Sequence, residues 1–129
     1  MVTNDEHDAA IQSLYNQFRQ IFETSTQSIY LYLDDTHKIC NENYATLLGY
    51  DSAEEWAEID SSLLETTVDE TSQETLVSAY QDAVQKMVGS SVDITWKKKS
   101  GDVVNTSVIL VPVSYQGHIL ALHFVTVKE

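Results

Sequence analysis

The chain is short of several things that other kinds of protein depend on. Cys40 is the single cysteine among 129 residues, which excludes an internal disulfide and a thiolate metal cluster, since the latter needs several cysteines. One proline and four glycines fit a compact soluble protein and not a disordered tail. No apolar run approaches the roughly 20 residues of a membrane span. Basic side chains are few: seven Lys and Arg stand against 20 Asp and Glu, a net charge of −13. Phosphate backbones need a basic surface, so nucleic acid is not an expected partner, and an anionic membrane would repel this chain. The amino terminus, Met-Val-Thr-Asn-Asp-Glu-His-Asp, is the reverse of a basic signal peptide. The expected location is cytoplasmic.

What is present is a 43% hydrophobic composition, enough at this length for one domain with its own core. Charge is uneven, with 17 acidic and 2 basic side chains in residues 1–82. Lys97-Lys98-Lys99 is the only basic cluster, a solvated strand end before a turn or an attachment point for an acidic partner.

In residues 5–25, Ile11, Leu14, Tyr15, Phe18, Ile21 and Phe22 recur at three- and four-residue intervals, the stripe of an amphipathic helix. Asp5, Glu6 and Asp8 stand near its amino end, where the helix dipole favours negative charge. A strand follows at 28–33, Asp34-Asp35-Thr36-His37 turns, and Lys38-Ile39-Cys40 is a short second strand. Asn41 starts a short helix that Gly49 ends in the left-handed conformation. Ser52 and Glu55 have capping-box spacing, and residues 52–65 suit two helical turns anchored by Trp56, Ile59, Leu63 and Leu64. Thr71 and Glu74 repeat that spacing before a longer helix, stopped by Gly89. Strands at 92–96, 103–113 and 118–127 complete the chain.

This order predicts a layered α+β domain, with helices over one face of an antiparallel sheet. Residues 108–111 and 119–122 are apolar on both faces, whereas a half-exposed strand alternates. The second face therefore needs a cover. The helix at 5–25 is the only spare apolar element, supplied by the same chain or by a partner.

Asn41-Glu42-Asn43-Tyr44-Ala45-Thr46-Leu47-Leu48-Gly49-Tyr50 after a strand, with Trp96-Lys97-Lys98-Lys99-Ser100-Gly101-Asp102 running from strand through turn to strand, resembles the PAS sensor family. Asn41, Ala45, Leu48, Gly49 and Tyr50 occupy the places of that family's asparagine and its alanine-alanine-x-x-leucine-x-glycine-tyrosine helix. Lys99, Ser100 and Gly101 match its Asp/Lys-Gly turn. The resemblance covers roughly residues 16–127. It departs in a shorter first hairpin without glycine and in the missing aspartate-isoleucine-threonine ending near Val125. It implies an N-terminal amphipathic helix (residues 1–25) and a PAS-like domain (residues 26–129) with a five-stranded antiparallel sheet. It also implies a stand-alone module that acts through partners.

The same resemblance bears on cofactors. Haem is not expected, because the helix at 71–88 contains no histidine. A covalent flavin adduct is not expected either, because Ser61-Ser62-Leu63-Leu64-Glu65-Thr66 lacks the cysteine. Noncovalent flavin or another small ligand stays open. A pocket between long helix and sheet would be lined by Leu31, Leu33, Tyr44, Leu48, Tyr80, Val84, Ile94 and Trp96. Ile11, Leu14, Tyr15, Phe18 and Phe22, with Tyr30 and Tyr32 turned to the outer sheet face, would form a homodimer or partner contact. No catalytic residue and no metal ligand is expected; His118 and His123, five apart on one strand, point to opposite faces. The expectation is a sensory, non-enzymatic domain. A small cone-shaped α+β enzyme with an apolar cavity and a ligand-free structural adaptor are the alternatives.

Overall fold

The computed structural model describes residues 4–128, with side chains from residue 6 onward. Residues 1–3 and 129 of the two expected units, and the Asp5 side chain, lie outside the described residues. Five antiparallel strands form one sheet: β1 (Ser28–Asp34), β2 (His37–Cys40), β3 (Ser90–Lys97), β4 (Val103–Tyr115) and β5 (His118–Val127), in spatial order β2-β1-β5-β4-β3. Helices α2 (Glu42–Leu47), α3 (Ala53–Ala57), α4 (Leu63–Thr67) and α5 (Glu70–Lys86) lie between β2 and β3 in the chain and cover the inner face. Helix α1 (Asn4–Thr24) covers part of the opposite face. No helix among the described residues is long and apolar enough to cross a membrane.

Asn41 joins the sheet to the helical layer. Its Oδ1 accepts from the Tyr44 N–H at 3.0 Å, capping α2, and from the Ile29 N–H at 3.1 Å; its Nδ2 donates to the Gln27 carbonyl at 2.8 Å. One buried amide thus satisfies backbone groups of both layers. Gly49 follows α2 at φ +84°, and the Tyr50 N–H returns to the Ala45 carbonyl at 2.9 Å, so the expected glycine stop is present.

Helix α5 begins and ends differently from expectation. Its cap is Asp69, whose carboxylate accepts from the Thr71 N–H at 3.2 Å. Thr71 itself lies inside the first turn, and the cap falls to aspartate, which fills that position better than threonine does. At the other end Met87 takes the left-handed conformation, φ 55°, two residues before Gly89. Gly89 serves a close approach: a Cβ there would meet the Leu110 carbonyl oxygen at 3.0 Å.

Two apolar clusters sandwich the sheet. The inner one joins Tyr44, Leu48, Trp56, Ile94, Trp96, Val108 and Leu110, all with almost no exposed surface, and contains Cys40. The outer one joins Leu14 and Phe22 of α1 to Ile29, Leu31, Leu120 and Leu122. Full burial of each such large side chain stabilises by about 1.5–3 kcal/mol. The helix that had to cover the second face therefore does so within its own chain. It leaves Ile109 and Val111 of β4 exposed, at 48% and 37%.

Strand β1 corrects one expectation. Tyr30 and Tyr32 face inward, and Leu31 and Leu33 face α1. Side chains alternate strictly along a strand, so facing is a single binary choice. Apolar residues occupy both sets here, and periodicity cannot make that choice. Pairing makes it: Tyr30 lies opposite Cys40 on β2 and His123 on β5, both inward.

Lys38 is buried, its ammonium donating to the carbonyls of Asp35, Ala57 (3.2 Å) and Ile59 (2.7 Å) and standing 5.5 Å from the Trp56 ring. Burial lowers its pKa while nearby carboxylates oppose that shift. Of the three clustered lysines, Lys99 pairs with Glu55 at 2.7 Å, and Lys97 reaches the Glu65 carbonyl. Exposed pairs of this kind contribute little.

Candidate functional site

A cavity of about 260 Å³ opens between the sheet, α4 and α5. Tyr30 and Tyr32 form its β1 wall, Trp96 and His123 its floor, Leu76, Val77 and Tyr80 its α5 wall. Ser62, Leu63, Leu64 and Val68 close the α4 side, and Asp35 stands at the tip of the β1–β2 hairpin. The volume lies just under the range typical of drug-sized ligands, and the lining has the usual mixture of apolar surface and a few placed polar groups.

The aromatic walls hold one another in place. His123 stacks on Tyr30 with ring centroids 3.9 Å apart and planes 8° from parallel. Tyr30 also stacks on Tyr44 at 4.8 Å and stands edge-on to Trp96 at 5.8 Å. Tyr32 and Tyr80 meet edge-on at 5.4 Å across the cavity. Such offset and edge-on pairs add about 0.5–1.5 kcal/mol each beyond their burial.

Most polar tips at the cavity are engaged. The Trp96 Nε1–H donates to Thr106 Oγ1 at 2.8 Å, and that hydroxyl donates to the Ile94 carbonyl at 2.8 Å. Tyr32 donates to Asp35 Oδ1 at 2.9 Å and Tyr80 to the Leu33 carbonyl at 3.2 Å. Asp35 also accepts from the Leu63 N–H at 3.3 Å, tying the hairpin tip to α4. Burial drives the phenol pKa values of Tyr30, Tyr32 and Tyr80 upward, so all three remain protonated donors.

His123 is neutral: burial lowers its pKa to about 3. Its Nδ1 lies 3.1 Å from the Ala121 carbonyl oxygen, which can only accept, so Nδ1 carries the proton. Deeper in the core the Tyr44 hydroxyl and the Trp56 Nε1 are buried without hydrogen-bond partners among the described residues. The site can therefore stack a flat or apolar molecule between rings and offer it one carboxylate, the Tyr32 and Tyr80 hydroxyl protons being already given to Asp35 and the Leu33 carbonyl.

Of the eight expected pocket residues, Tyr80 and Trp96 line this cavity. Tyr44, Leu48 and Ile94 are buried in the surrounding cluster. Leu31 and Leu33 lie on the opposite face, and Val84 is half-buried away from the cavity lining. Of the expected interface residues, Ile11, Leu14, Tyr15, Phe18 and Phe22 pack on the sheet of their own chain, while Tyr30 and Tyr32 line the cavity. His123 and Asp35 were not among the expected pocket residues. Strand pairing of the first and last strands could have pointed to His123, but no local pattern marks Asp35.

No protein-family model matches the chain, and no curated protein does. Solved structures do match. The PAS domain of a Colwellia psychrerythraea protein has a TM-score of 0.69 at 19% identity, covering 89% of this chain and 97% of that one. The PAS domain of an HTR-like protein from Haloarcula marismortui has 0.62 at 17%, covering 96% and 99%. The VqmA dimer of Vibrio cholerae has 0.67 at 11%, covering 88% of this chain and 51% of that one. This chain has the PAS fold: a five-stranded antiparallel sheet with helices, as its motifs implied.

Proposed function

We propose that this chain is a sensory domain that binds a small apolar or aromatic molecule and signals by association with a second copy of itself. The observation that carries the reading is the aromatic cavity of about 260 Å³ between α4, α5 and the sheet. Its walls favour a flat ligand through stacking, and Asp35 favours one bearing a hydrogen-bond donor. The role is binding and not catalysis. A ligand acts as a signal here only if it favours one packing of the domain over another.

The dimer contact moves from the buried stripe of α1 to the apolar surface that α1 leaves open. Ile109 and Val111 pair in the sheet with Phe124 and Leu122, which belong to the α1 cluster. Ile21, on α1, is also exposed. An isologous dimer uses one such patch twice. VqmA, whose fold is similar, is described both as a dimer and bound to DPO. Both copies would carry a charge of −13, so added salt should strengthen the dimer by screening.

Native mass spectrometry of the purified protein, set against its denatured mass, tests both halves. The expected species is a dimer carrying extra mass that disappears on denaturation. A monomer at the bare sequence mass would overturn the reading.

A further inference from the structure

We propose that His7, Asp34 and His37 form a binding site for a divalent ion of the zinc class, held between helix α1 and the β1–β2 hairpin. The site is separate from the aromatic cavity and does not depend on it. His7 comes from α1, Asp34 ends β1 and His37 begins β2. One donor atom from each lies within 4.8 Å of the other two. Both imidazoles converge on one carboxylate: His7 Nδ1 is 2.8 Å from Asp34 Oδ2, and His37 Nδ1 is 2.7 Å from Asp34 Oδ1.

The ring spacing leaves room for an ion. Imidazole nitrogens about 2.1 Å from a tetrahedral ion put neighbouring ring centroids about 5 Å apart. The His7 and His37 rings are 5.2 Å apart at 86°, and the His118 ring stands 5.3 Å from His7 at 89°.

The surroundings are those of a supported site. His37 Nε2 lies 3.1 Å from Asp8 Oδ1. That carboxylate accepts from the Nε2–H, and an ion would take the place of the Nδ1 proton that Asp34 now accepts, giving the carboxylate–histidine–metal arrangement. The Thr36 N–H and hydroxyl each donate to Asp34 Oδ1 at 3.0 Å, orienting the ligand carboxylate. His37 is buried, but the side chains of His7 and Asp34 are 23% and 38% exposed, which gives an ion its way in. Two borderline imidazoles and one carboxylate oxygen are a donor set that zinc takes, and they leave a coordination position for solvent. A bound ion would fasten the start of α1 to the hairpin. Twenty-seven positions separate His7 from Asp34, so no spacing motif along the chain joins all three.

The test uses the full chain with any affinity tag removed, stripped with a chelator and titrated with zinc chloride by calorimetry. Cobalt(II) absorption serves as a second readout of coordination. The expected result is one zinc per chain and a tetrahedral cobalt spectrum. His7→Gln and Asp34→Asn, both at partly exposed positions, should each weaken zinc by more than about 100-fold, and Asp8→Asn by about 10–100-fold, with unchanged circular dichroism. No zinc binding by the parent chain would overturn the proposal. So would zinc binding that His7→Gln and Asp34→Asn leave intact.

Discussion

Replacing Asn41 by alanine removes three hydrogen bonds at once, and their environments set the loss. The Tyr44 N–H loses its cap, which costs about 1 kcal/mol. The Ile29 N–H, on a residue with no exposed surface, loses its acceptor and is left unpaired at about 1–3 kcal/mol. The Gln27 carbonyl belongs to an exposed residue and keeps Asn43 Nδ2 at 3.5 Å, so its share is small. The total is about 3 kcal/mol, a large part of the 5–15 kcal/mol that typically stabilises a domain. The melting temperature should fall by about 10 °C. Urea unfolding followed by fluorescence of the buried Trp56 and Trp96 measures it. Asn41→Asp keeps both acceptor bonds and should lose less. A loss below about 1 kcal/mol for Asn41→Ala would mean that water or a backbone shift replaces the amide, and the junction would not depend on it.

Three further outcomes follow from single positions. His123 has a folded pKa of about 3 against an ordinary 6.5, so the unfolded chain binds the proton first, and stability is lost as pH falls from 6.5 toward 3. Between about pH 7 and 4.5 this costs up to about 2.5 kcal/mol; His123→Phe should lose that much less over the same interval in urea melts, and equal losses would contradict the assignment. Tyr44→Phe removes a buried hydroxyl that has no partner among the described residues, so it should be neutral or stabilise by about 1 kcal/mol, and a clear destabilisation in thermal melts would reveal a bond to that hydroxyl. Met87 is 49% exposed and left-handed at the end of α5; Met87→Gly should stabilise by about 0.5–1 kcal/mol, and a lower melting temperature would show that its side chain packs.

Local chemistry made much of this molecule legible in advance. The Asn41 cap, the left-handed Gly49, the Ser52 cap and the stripe of α1 each depend on residues a few positions apart, and each is where that chemistry places it, apart from Ile21, which the stripe leaves exposed. Two doubly apolar strands showed that the sheet needed cover on its second face. That α1 supplies the cover within the same chain, and leaves Ile109 and Val111 open, depends on how the chain returns upon itself.

The cavity and the histidine cluster were decided by tertiary structure. Tyr30 and Leu31 are both buried, so alternation along β1 could be satisfied either way, and the inward choice came from pairing with Cys40 and His123. Asp35 reads locally as a turn residue and became part of a pocket only when α4 packed beside it. His7 meets Asp34 and His37 only because α1 lies across the first hairpin. Sequence by itself determined what depends on neighbours along the chain: element types, caps, stops and the number of faces to be buried. Which residues look at one another across 30 or 90 positions was decided by the packing of helix on sheet and strand on strand, since those contacts carry no local signature.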